Sequence, residues 1–118
     1  MSVEIITKEL IDYAENKKVR AFCKLLSSIN TKDIIELSNY RYKESYNEIM
    51  KLCGKIANNS RAVRKTKELF FTAGCNTLKE SIKEGYIPEK AITAKFYFDC
   101  ILNLSINPDT MYVLSLTR

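Results

Sequence analysis

The chain predicts an all-α fold: a compact bundle of five to seven helices forming a single domain over residues 1–118. Three observations carry this. Only 3 Gly and 2 Pro occur in 118 residues, too few for the many tight turns of an all-β protein. Apolar residues recur at i, i+3, i+4 along most of the chain, the period of a helix face. Finally, the segment 88–104 is apolar around most of its circumference, with Ala91, Ile92, Ala94, Phe96, Tyr97, Phe98, Cys100, Ile101, Leu102 and Leu104. Only Lys95, Asp99 and Asn103 form a polar line there. A helix of that kind needs enclosure, so the bundle is expected to build around it, within one chain or across a homodimer.

The other elements follow in order. Val3, Ile6, Leu10, Tyr13 and Ala14 define a first helix. After Asn16-Lys17-Lys18, a second helix puts Val19, Phe22, Cys23, Leu26 and Ile29 on one side. Thr31 is the expected N-cap of a short third helix, Lys32 to Ser38, because its hydroxyl can accept an otherwise orphan N–H. A longer helix, about 43–57, has the cleanest stripe: Tyr46, Ile49, Met50, Cys53, Ile56, Ala57. Asn58-Asn59-Ser60 breaks and recaps, and a helix from Arg61 is expected to stop near Ala73. Gly74-Cys75-Asn76 reads as a break, with Asn76 capping a further short helix to Glu84 and Gly85 closing it in left-handed conformation. Pro88 suits a first helical turn. The tail 107–118 can be read as a helix after Asn107-Pro108 or as a short strand.

Several function classes lose support. No stretch approaches the roughly 18 apolar residues of a membrane span. The N-terminal segment, with Glu4, Glu9 and Asp12 among its apolar residues, reads as a helix and not a signal peptide, so an intracellular protein of cytoplasm or nucleus is expected. Cys23, Cys53, Cys75 and Cys100 lie at least 22 residues apart and the chain has no histidine, which removes most zinc patterns. Three of the four fall on apolar stripes, as buried reduced thiols do. Without histidine, a phosphate loop or a partnered cysteine, no catalytic residue and no cofactor is expected.

What remains is charge and aromatic placement. The net charge is +5, and between Glu48 and Glu68 stand six basic residues and no acid: Lys51, Lys55, Arg61, Arg64, Lys65 and Lys67. Tyr40 and Tyr42 flank Arg41 in a turn, a combination common at protein interfaces. Phe70 and Phe71 point about 100° apart on a helix, so one is expected outside the core, marking a patch for a partner or for self-association. The sequence therefore predicts a small non-catalytic binding protein, an adaptor, inhibitor or regulator with an acidic protein partner. Its contacts would be Tyr40, Arg41, Tyr42, Lys51, Lys55, Arg61, Arg64 and Lys65. The alternative is a helix–turn–helix reader of nucleic acid over 33–55. Arg41, Lys43, Asn47, Lys51 and Lys55 would face DNA, with Asn47 suited to adenine. Against it, Glu44 and Glu48 would repel phosphate, and no turn glycine is present.

Overall fold

Hydrophobic stripes at helical spacing become six α-helices in the computed structural model, which describes residues 2–58 and 60–105. They are α1 (Val3–Glu15), α2 (Val19–Ser28), α3 (Thr31–Ser38), α4 (Lys43–Ile56), α5 (Arg61–Lys83) and α6 (Pro88–Ser105), with a 3-10 turn at Tyr40–Tyr42 between α3 and α4. The expected break residue Asn59 and the tail reading for 107–118 lie outside the described residues.

Each stripe closes onto one core. Val3, Ile6 and Leu10 of α1 meet Phe22, Cys23 and Leu26 of α2, with Ile34 and Leu37 of α3 and Ile49, Leu52 and Cys53 of α4. Phe70 and Phe96 join them, in an edge-on contact with centroids 6.5 Å apart. Tyr46 and Tyr97 extend that aromatic cluster on either side of Phe96. The helix 88–104 does hold a central place, for α6 packs against α3, α4 and α5. It is not enclosed all round, however. Its outer face leaves Leu102 57% exposed.

The polar line on α6 is the seam with α4. Tyr46 donates a hydrogen bond to Asp99, which also pairs with Lys95 at 2.6 Å. Asn103 donates to the backbone oxygen of Asp99 and reaches the Met50 sulfur. Burial, and then the Asp99 carboxylate that accepts from it, hold the Tyr46 phenol well above its ordinary pKa. The hydroxyl therefore stays protonated as a donor.

Two expectations at helix ends are corrected. Asn30, not Thr31, caps α3: its Oδ1 accepts from the Asp33 N–H at 2.9 Å, and Thr31 becomes the first helical residue. Both side chains are competent caps; the extended backbone at Asn30 (φ −78°, ψ 163°) selects it. More consequentially, α5 does not break at Gly74-Cys75-Asn76. It runs on for 23 residues. Gly74 faces α6, where a Cβ would lie 2.9 Å from Cε1 and Cζ of Phe98. The glycine that costs helix propensity of about 1 kcal/mol admits an aromatic ring onto the α5 backbone.

The α5–α6 hairpin closes as the glycine signal foretold. Gly85 sits at φ +82°, its N–H donating to Ile82 O while that of Tyr86 donates to Ser81 O, the paired bonds of a Schellman motif. The fully buried Ser81 hydroxyl then links both sides of the turn, accepting from Ile87 N at 3.0 Å and donating to Ile87 O at 3.2 Å. Removing that hydroxyl strands a backbone N–H in the interior. Ser81→Ala is expected to cost about 1–3 kcal/mol, read as a lower urea midpoint with unchanged helical circular dichroism.

Candidate anion-binding groove

Two helices begin side by side. The N-terminal ends of α2 and α5 line one groove, in which Arg20 and Lys24 of α2 stand across from Arg61 and Lys65 of α5. The starts of both helices, Lys18–Ala21 and Ser60–Ala62, border one hollow, and the groove that shares Arg20 and Arg61 with it runs on to Ser27 and Thr66, so the helices run in the same direction. The groove holds about 440 Å³ above a floor of small side chains, Cys23, Ser27, Ala62 and Thr66. It continues past the helix starts into a second hollow of about 530 Å³, shared between Arg20, Arg61 and Ala62 and bordered by Lys17, Lys18 and Ser60.

The electrostatics of this place are one-sided. Among the described residues, six cations line the two hollows and no carboxylate does. Among the described residues the ion pairs are Lys90 with Glu80 and Glu84, and Lys95 with Asp99; all lie elsewhere. Both helix dipoles also put their positive ends here. At α5, the Ser60 hydroxyl accepts from Val63 N and caps that end. At α2, Lys18 is the N-cap residue and its side chain makes no capping hydrogen bond. The amides of that first turn thus face the mouth without a side-chain acceptor, as they do where helix ends bind anions.

Lys17 reaches this mouth at a conformational cost. It occupies φ +56°, the C′ position of α1. Its N–H donates to Ala14 O and the Lys18 N–H to Tyr13 O, a second Schellman motif built without glycine. At the floor, burial holds the Cys23 thiol above its ordinary pKa against the opposing effect of its hydrogen bond with Thr66. It is a protonated packing group there, not a thiolate.

The residues singled out from sequence scatter over four places. Arg61 and Lys65 enter the groove. Arg64 does not, since neighbouring residues on a helix point about 100° apart; it is exposed on another flank of α5. Lys51 and Lys55 are exposed on α4, a helix that packs against α1, α3 and α6. In the 3-10 turn, Tyr42 is stapled partly into the core, with the Arg41 guanidinium 5.5 Å above its ring, while Tyr40 is 91% exposed. Tyr40 shares a cleft of about 470 Å³ with Lys43, Tyr46, Asn47 and Lys95. Arg20, Lys24, Lys17 and Lys18 are the groove residues that sequence reasoning passed over. Their signal was present as an i, i+4 pair, Arg20/Lys24, matching Arg61/Lys65, but nothing local says that two such pairs face each other.

No family model, no curated protein and no solved structure matches this chain. The site must therefore be read from its own chemistry. Among the described residues, no group of three or more Cys, Asp or Glu is placed to hold a metal ion, and no helix is long and apolar enough to cross a membrane.

Lys17 separates fold from site. Lys17→Gly relieves a left-handed non-glycine backbone, and is expected to leave stability unchanged or raise it by up to about 1 kcal/mol. It removes one cation from the groove mouth at the same time. The measurement is urea denaturation beside polyglutamate binding, with stability holding or rising while affinity falls.

Proposed function

We propose that this is a non-catalytic binding protein whose α2–α5 groove receives an acidic segment of a partner protein. One observation carries the reading: among the described residues, six cations with no carboxylate between them surround a floor of small side chains at two parallel helix N-termini. Cations held without partners repel one another and gain when an anion arrives. The shape accepts a helical protein segment. Arg20/Lys24 and Arg61/Lys65 form two rows with a rise of about 6 Å between cations, the i, i+4 rise of carboxylates on a helix. A floor of Cys23, Ser27, Ala62 and Thr66 lets such a helix approach closely. Charge of this kind speeds encounter and selects partners more than it adds affinity.

A second reading has its own support. Lys43, Asn47, Lys51 and Lys55 are all exposed along one line of α4, and Tyr40 stands at its head. That is the surface a nucleic-acid reader would use, and it shares no residue with the groove.

Binding of a labelled Glu-rich helical peptide and of a labelled random-sequence duplex, followed by anisotropy between about 50 and 200 mM salt, distinguishes the two. The groove reading expects peptide binding that drops at least tenfold in Arg20→Glu/Lys65→Glu and is unmoved by Lys51→Glu/Lys55→Glu. Tight, steeply salt-dependent duplex binding that is lost in Lys51→Glu/Lys55→Glu, with no peptide binding, would replace it with the nucleic-acid reading.

A further inference from the structure

The flank of α5 away from the groove carries a different pattern. Glu68, Phe71, Cys75, Leu78 and Ile82 follow one another at intervals of three and four residues, the a and d spacing of a coiled-coil seam. Three of them are large apolar side chains left in water: Phe71 is 60% exposed, Leu78 41% and Ile82 69%. Cys75, half-buried, completes the seam. Phe71 and Leu78 are the helical neighbours of Gly74, one turn before it and one turn after. The seam therefore borders the place where Phe98 of α6 lies against α5. On α6, Leu102 stands one turn beyond Phe98 and is also exposed.

We infer that this seam is the interface of a homodimer in which α5 packs antiparallel against α5 of a second copy. Of the antiparallel registers that set a positions opposite d positions, one covers Phe71, Cys75, Leu78 and Ile82 together. Setting Phe71 opposite Ile82 of the second copy puts Cys75 opposite its Leu78, and the two-fold axis repeats both contacts. The four residues from Phe71 to Ile82 on the seam of each chain are then covered. In that register, Glu68 comes within two residues of the level of Lys83 of the second copy, on the same side of the seam, and the pair also occurs twice. A parallel arrangement would instead stack Glu68 on Glu68 and Arg64 on Arg64, like charges at the two positions that precede the apolar run. Antiparallel helices also oppose their dipoles favourably. The apolar area is modest, which sets the expectation of a dissociable dimer and not an obligate one. The groove lies on the opposite flank of α5 and stays open in both copies.

Sedimentation equilibrium over a micromolar concentration series tests this, with circular dichroism to verify folding. The wild-type chain should pass from monomer to dimer, and Phe71→Glu should remain monomeric at every concentration. Glu68→Lys should weaken association about tenfold, and Glu68→Lys combined with Lys83→Glu should restore it. A bis-maleimide should link the dimer through Cys75 alone, because Cys23, Cys53 and Cys100 are buried. A wild-type chain that is monomeric throughout would overturn the inference, as would a dimer that survives Phe71→Glu. The surface charge exchange stands apart from any folding defect of Phe71→Glu: failure of the double variant to recover association rejects the antiparallel register.

Discussion

The close approach of α6 to α5 at Gly74 is the contact on which the rest of the structure depends. With no Cβ at that position, the Phe98 ring lies on the α5 backbone, and α5 crosses its own weakest point without interruption. A continuous α5 is long enough to serve both of its neighbours. Its N-terminal turns stand beside α2 and form the cationic groove, while the turns after Gly74 pack antiparallel on α6 through the Ser81–Ile87 link. Were the helix broken there, the register between the Arg61 end and the Phe71–Ile82 seam would be lost.

Polar groups in this protein divide by what they do with charge. Where α4 meets α6, Tyr46, Lys95, Asp99 and Asn103 satisfy one another, and the result is a structural seam. At the α2–α5 groove the opposite holds. Lys17, Lys18, Arg20, Lys24, Arg61 and Lys65 are gathered with no carboxylate among the described residues beside them, and Lys17 sits in a backbone conformation that glycine would adopt more cheaply. That asymmetry is what the proposed binding reading rests on.

Much of the fold was legible because it is written locally. Val3, Ile6 and Leu10, or Ile49, Met50 and Cys53, announce a buried face by spacing alone, and Gly85 announces its left-handed turn by being glycine. Phe70 and Phe71, adjacent in sequence, divide as helical geometry demands, one 1% exposed and the other 60%. The misreading at Gly74-Cys75-Asn76 has the converse cause. The propensity cost is local, but the compensation comes from Phe98 on another helix. The site was half legible for the same reason. Arg61 and Lys65 stand out in a basic run, whereas Arg20 and Lys24 gain meaning only when α2 lies parallel to α5. Lys51, Lys55 and Arg64 share that run in sequence and none of the groove in space.

The most direct test of this account is amide hydrogen exchange, residue by residue, across α5. An unbroken helix buttressed by α6 predicts slow exchange at Gly74, Cys75 and Asn76, comparable with Phe70 before them and Ser81 after. Fast exchange confined to 74–76, with protected turns on either side, would mean two helices and a hinge. The groove and the seam could then no longer be treated as opposite flanks of one rigid element.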